Sequence, residues 1–310
     1  MRYRSWLIVP GDSEKKLGKA MGMGADVAVV DLDETVPYEA KGAARARAAD
    51  WLAAHRRQIL EQSALGRWVR INTFESRLWR DDLIAVMRGA PHGIILPRCA
   101  GPDALREVAA ELYELEQTNH LAPGSTRLLP MAGDTPRAAL AITSYVDAAI
   151  PRLAGLTWSA ESLAVAIEAS RLRDSRGGWT GAFRHVRGQI VLAAHACGAM
   201  PIETTYDDVE DIKGLRLAAK MARADGFTGM LACHPAQVPE INAAFTPSEE
   251  ELAEARRIVA AVEDHAEEEM SALDRRRLDE PRVRLARQLL ANGENRGSGG
   301  SMPIRIMRPA

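Results

Sequence analysis

Eight short apolar runs recur along the chain, with helically spaced sequence between them, and this alternation constrains the fold most. The runs fall at residues 6–9, 27–31, 68–71, 93–96, 128–131, 155–158, 200–202 and 230–233. Short Val-, Ile- and Leu-rich runs read as strands of a parallel sheet, buried on both faces. Helical periodicity marks 13–23, 41–60, 103–115, 135–145, 186–196 and 208–224. In the third of these, Leu105, Val108, Leu112 and Leu115 draw a single stripe. Eight strands alternating with helices predict an α/β fold, a (β/α)8 TIM barrel spanning 1–245. An open doubly wound sheet is the alternative, because the pattern does not show closure.

The second run carries the strongest chemical signal. Val27-Ala28-Val29-Val30 leads straight into Asp31-Leu32-Asp33-Glu34, three acids within four positions. An unpaired buried carboxylate costs several kcal/mol, so these acids face water or a cation, or one caps the next helix. The other runs also end in polar residues: Arg70 and Asn72, Arg98, Asp134, Glu161, Glu203 and Thr204, and His234. In a barrel these positions form one ring at the carboxyl ends of the strands, where active sites are built. Acids mixed with arginines suit a cation held beside an anionic substrate.

Beyond the eighth run, Ser248 and Glu251 have capping-box spacing and open a helix expected to reach about residue 270. A charged segment (274–280) precedes a second helix from Pro281 through Leu290. Residues 246–291 thus read as a C-terminal helical extension packing on a neighbouring subunit, and 292–310, Gly/Ser-rich over 292–302, as a flexible tail. The chain has 310 residues and a formal charge of −2, which gives no electrostatic reason to expect nucleic acid or an anionic membrane. Its three cysteines have no metal-ligand spacing, and no stretch approaches the length of a membrane helix. A soluble cytoplasmic protein is expected.

The motifs resemble those of the HpcH/HpaI aldolase and citrate lyase beta-subunit family, which includes malyl-CoA lyase-like members. Arg4-Ser5-Trp6-Leu7-Ile8-Val9-Pro10-Gly11 is similar to that family's R-S-x-L-x-V-P-G. Gly24-Ala25-Asp26 and Asp31-Leu32-Asp33-Glu34-Thr35-Val36 resemble its G-A-D and D-L-E-D-x-V. Val69-Arg70-Ile71-Asn72, Leu96-Pro97-Arg98, the stretch from Gly226 to Gln237, and Phe245-Thr246-Pro247-Ser248 also match in order. The resemblance covers the chain to about residue 290 and implies a homotrimer or a dimer of trimers.

It also implies Mg²⁺, held in the family by the Glu of an E-T motif and the Asp of an E-D motif. The first is Asp134-Thr135 here, and the second is Glu161-Ser162, so Asp134, Glu161 and Ser162 are the metal candidates. Ser162 stands where the family has a ligand Asp, and a neutral hydroxyl is a poor substitute on Mg²⁺. Arg98 replaces a Lys, and Met230 replaces the Lys of a G-K pair. Leu278-Asp279-Glu280-Pro281 is similar to a family motif whose Asp reaches a neighbouring subunit's site.

The implied activity is cleavage or condensation of a short β-hydroxy acid or its CoA thioester. Arg70, Asp33, Glu34 and Arg98 would bind substrate, while Arg70, Asp31 and Asp279 would serve catalysis. A degenerate ligand-binding paralogue with an impaired metal site, or a CoA-thioester hydrolase, is the alternative. Structural roles also stay open: an Arg70 ion pair with Asp31 or Asp33, a helix cap at Asp134, a structural His234, a surface Asp279.

Overall fold

The computed structural model describes residues 3–56, 65–175, 177–264 and 280–294. Its eight strands are β1 Ser5–Pro10, β2 Val27–Asp31, β3 Gly66–Arg70, β4 Gly93–Leu96, β5 Arg127–Pro130, β6 Gly155–Leu156, β7 Met200–Glu203 and β8 Gly229–Ala232. All neighbours pair in parallel, in the order β5-β4-β3-β2-β1-β8-β7-β6. Parallel bridges Leu128↔Leu153 and Met131↔Thr157 then join β5 to the β6 side and close the ring. The fold is a TIM barrel, and the open-sheet alternative falls.

Helices α1 Glu14–Ala20, α2 Lys41–Arg56, α3 Trp79–Val86, α4 Pro102–Thr118 and α5 Pro136–Leu140 alternate with the first strands. They are followed by α6 Ala160–Ala166, α7 Gly181–Ala196, α8 Ile212–Ala224 and α9 Val238–Ala244. Residues 2–243 form one compact unit. A second unit begins at Ala244 and holds α10 Glu249–Asp264 and α11 Glu280–Glu294. These two helices pack together and bury Leu252, Ala255, Val283 and Ala286. The predicted ends of the helices at 41–60 and 248–270, and Asp279 itself, lie outside the described residues. So does the predicted tail beyond 294, while α11 carries helix past Leu290 to Glu294.

Strand alternation explains how the barrel is filled and where its chemistry goes. Side chains two residues apart share a face. Val27 and Val29 join Trp6, Trp68, Ile95, Leu129, Met131, Ile202 and Leu231 in the interior cluster. Trp6 and Trp68 meet edge to face, their ring centroids 4.9 Å apart. Gly93 leaves room for that layer, since an added Cβ would run into the Trp68 ring. The same face continues up β2 to Asp31 and up β3 to Arg70, which are register partners. The top layer of the barrel is therefore ionic where the lower layers are apolar.

The opposite, amino-terminal end of the barrel is tied by structural hydrogen bonds. Arg67 spreads its guanidinium over the Leu52, Gly89 and Ala90 carbonyls, and its backbone N–H donates to His92 Nδ1 at 2.9 Å. Burial first, then the Arg67 charge, pushes the His92 imidazole down to about 4. Between that value and about 6.5 the unfolded chain binds a proton that the folded chain does not, so stability must fall as pH falls through this window. The contribution is complete above pH 6.5 and amounts to about 2–3 kcal/mol. Urea denaturation of wild type and His92→Gln from pH 4 to 8 should show a steeper acid loss for wild type. Parallel curves would refute this.

Candidate active site

Asp31 is wholly buried and accepts five hydrogen bonds. Arg70 Nε and Nη2 grip its two oxygens at 2.7 Å each, and the Asp33 N–H, Thr35 N–H and Thr35 Oγ1 supply the rest. Burial alone would raise this carboxyl; the guanidinium and the other donors bring it down to about 2. Arg70, itself buried, is held firmly in its charged form by Asp31. Its Nη1 reaches Glu34 Oε2 at 2.8 Å.

Three acids in four positions thus divide their roles. Asp31 is the socket behind Arg70. Asp33 turns towards Lys41, whose Nζ lies 3.9 Å from its carboxylate and donates to the Leu32 and Asp33 carbonyls. Burial holds the Asp33 carboxyl up at about 6, with the Asp31 and Glu34 charges adding to the effect. Glu34 alone of the three lines the cavity at the barrel mouth.

That cavity encloses about 1250 Å³ and brings together Glu34, Arg70, Arg98, Asp134, Glu161 and Ser162. Asp134 follows β5 and is 2% exposed. The cap of α5 is Thr135, whose hydroxyl accepts the Ala138 N–H, so Asp134 is free of that duty. Its Oδ2 accepts the Arg98 N–H at 2.7 Å, and its Oδ1 has no hydrogen-bond partner among the described residues. Arg98 aims that N–H from a left-handed backbone (φ 51°), a conformation few residues other than glycine adopt. Burial raises the Asp134 carboxyl to about 7; the Arg98 N–H and charge oppose this, and Glu34 adds to it.

Ser159 caps α6, accepting the Ser162 N–H, and places Ser162 at the cavity wall. The Ser162 hydroxyl lies 2.8 Å from Ser159 Oγ and donates to Glu34 Oε1, also at 2.8 Å. Glu161 turns instead to Asp207, whose shared hydrogen bond, with burial, lifts the Glu161 carboxyl to about 7. Among the described residues no group of three or more His, Cys, Asp or Glu side chains forms a ready metal cluster. The oxygen left unpaired on Asp134 still suits a hard cation, because a buried carboxylate oxygen without a partner is costly.

Of the other predicted ring members, Thr204 and His234 also line the cavity, while Asn72 and Glu203 turn to structural partners. Asn72 is buried against Asp82, and Glu203 is buried against Arg187 and the Trp158 Nε1–H. His234 accepts the Ala236 N–H through Nδ1 and caps a short 3-10 turn, the structural role. Lys15, Lys16 and Lys19 on α1 line the cavity and were not anticipated as site residues. Their Lys-Lys-x-x-Lys spacing behind Val9-Pro10-Gly11 was the available signal.

A model of the family described as HpcH/HpaI aldolase/citrate lyase matches residues 4–235. A citrate lyase subunit beta-like protein of Mycobacterium tuberculosis is 31% identical over 285 residues, covering 92% of this chain and 93% of that protein. A (3S)-malyl-CoA thioesterase of Cereibacter sphaeroides is 30% identical over 294 residues, covering 94% and 95%. The crystal structure of CitE from M. tuberculosis with magnesium, acetoacetate and coenzyme A superposes with a TM-score of 0.73 at 29% identity, covering 94% of this chain and 98% of that one. This chain belongs to the HpcH/HpaI aldolase/citrate lyase family.

Proposed function

We propose that the protein is a Mg²⁺-dependent carbon–carbon lyase that cleaves, or in reverse condenses, the CoA thioester of a short β-hydroxy acid. The observation that carries this is one cavity lined both by Arg70, anchored on buried Asp31, and by Asp134, whose Oδ1 has no partner among the described residues. When bound, Mg²⁺ supplies Lewis-acid polarisation of the substrate oxygen that becomes the carbonyl. Asp134 and a second oxygen donor at the cavity wall would hold it.

The protein's own residues bind and orient. Arg70 has N–H donors beyond those committed to Asp31, and these hold the substrate carboxylate in a fixed plane. Asp31 positions Arg70. In cleavage, the bond between the hydroxyl-bearing carbon and the carbon next to the thioester breaks. The hydroxyl proton is lost, its carbon becomes a carbonyl, and the bonding pair forms a thioester enolate that takes up one proton. A carboxyl group handles that proton, and Asp279 of a neighbouring copy in a homotrimer or dimer of trimers is assigned this part. Sedimentation as a monomer at micromolar concentration would remove that route.

Cavity size and charge support a thioester over a free acid. At about 1250 Å³ the cavity exceeds the usual 300–1,000 Å³ of a small-ligand pocket. Lys15, Lys16 and Lys19 give its wall the positive charge a phosphate-bearing tail needs. Reversing Lys16 and Lys19 to Glu should raise KM for the thioester about tenfold, with a weaker salt dependence, and leave kcat within about twofold. An unchanged KM would separate these lysines from substrate binding. Three unpaired cysteines suit a cytoplasmic setting, and no described helix is long and apolar enough to cross a membrane.

The deciding experiment follows products from β-hydroxyacyl-CoA substrates with Mg²⁺. Acyl-CoA plus a carbonyl compound establishes the lyase. Free CoA plus the intact hydroxy acid would establish hydrolysis instead, the activity named for the C. sphaeroides relative.

A further inference from the structure

We propose that Glu34 supplies the second carboxylate of the cation site, in the place left by the neutral Ser162. This rests on the metal-dependent reading above and deepens it by naming the ligand. Glu34 Oε1 accepts the Ser162 hydroxyl and Oε2 accepts Arg70 Nη1–H, each at 2.8 Å. Its side chain is 45% exposed and lines the same cavity as Asp134. The two carboxyl groups are near enough to repel. Asp134 lines that cavity and is 2% exposed, and its buried Oδ1 has no hydrogen-bond partner among the described residues. An unpaired buried carboxylate oxygen and a second, partly exposed carboxylate on one cavity wall suit a hard cation.

Glu161, the other acid near Ser162, also lines the cavity but is turned to Asp207, whereas Glu34 is the acid that accepts the Ser162 hydroxyl. Chain lengths fit the assignment as well. Asp134 is one methylene shorter than the Glu of the E-T motif, and Glu34 one methylene longer than the Asp of D-L-E-D-x-V. Reach lost on one side of the cavity is regained on the other. Moving onto the cation also takes Glu34 off Arg70 Nη1, which opens that donor to the substrate carboxylate. Ser162, whose hydroxyl donates to Glu34 Oε1, is the positioning residue that steers it.

The test uses the full-length protein and Mn²⁺, an octahedral oxygen-seeking ion read directly by electron paramagnetic resonance. Glu34→Gln should weaken Mn²⁺ binding roughly tenfold or more, and Glu34→Asp by less than that. Glu161→Gln should change it by less than about twofold. Ser162→Ala should weaken wild type about two- to fivefold and change nothing in a Glu34→Gln background. Circular dichroism should show all variants folded, since each change lies at a solvent-facing wall. Equal affinity in wild type and Glu34→Gln would overturn the assignment and leave the lyase reading standing. A loss confined to Glu161→Gln would overturn it in favour of Glu161. Absence of Mn²⁺ binding in the wild type would overturn this inference together with metal dependence.

Discussion

Asp31→Asn is expected to cost about 3–5 kcal/mol of folding stability, the scale of breaking a buried ion pair on one side. The asparagine would keep the shape of the side chain and lose most of its use. Asp31 accepts hydrogen bonds from Arg70 Nε and Nη2, two backbone N–H groups and the Thr35 hydroxyl. An amide brings one oxygen and an NH2 that would confront donors. The Arg70 guanidinium would stay buried with its counter-charge gone and only the exposed Glu34 as partner. Replacing both members, as Asp31→Leu with Arg70→Met, should recover most of the stability, because paired apolar residues avoid the desolvation cost. It should recover no activity. Urea unfolding checks the stability arm and product formation the other. A single variant within 1 kcal/mol of wild type would show the pair to be less coupled than its geometry implies.

The same pair shows what the sequence made legible. All eight strands fall within a few residues of the apolar runs, because each is short, buried on both faces and bounded by polar residues. Strand ends located the cavity for the same reason: alternation places Asp31 and Arg70 on the interior face. Closure was not legible, since β6 has only two residues and the ring is completed by isolated bridges at Leu128 and Met131. Three helices, α3, α6 and α9, carried no usable period. In α3, Asp82 occupies a buried position as partner to Asn72 and Arg45, which breaks the apolar stripe. Seven-residue α6 is too brief to show a period. Nor could spacing say which of Asp31, Asp33 and Glu34 faces the cavity. That depends on Lys41, whose amine reaches back to the Leu32 and Asp33 carbonyls, and on Ser162, 128 residues further on. Contacts so distant leave no local pattern.

Asp134→Asn is expected to stabilise the metal-free protein at pH 8 by about 1–3 kcal/mol while abolishing its response to Mg²⁺. As a carboxylate, Asp134 is almost fully buried, has one hydrogen bond from the Arg98 N–H and leaves Oδ1 unpaired. Burying charge with so little compensation works against the fold, and burial accordingly lifts this carboxyl to about 7. An asparagine keeps the acceptor for the Arg98 N–H and buries a neutral amide, which costs less than a charge. A cation bound by the carboxylate would stabilise wild type by mass action, about 2.7 kcal/mol at a hundred times its Kd, and would do nothing for the variant. The order of thermal stability should therefore invert: the variant melts higher without Mg²⁺, the wild type higher with saturating Mg²⁺. A variant that melts below metal-free wild type, or still gains stability from Mg²⁺, would show that the orphaned oxygen is not the metal's. Such inversion is what a residue retained for function at the expense of the fold produces.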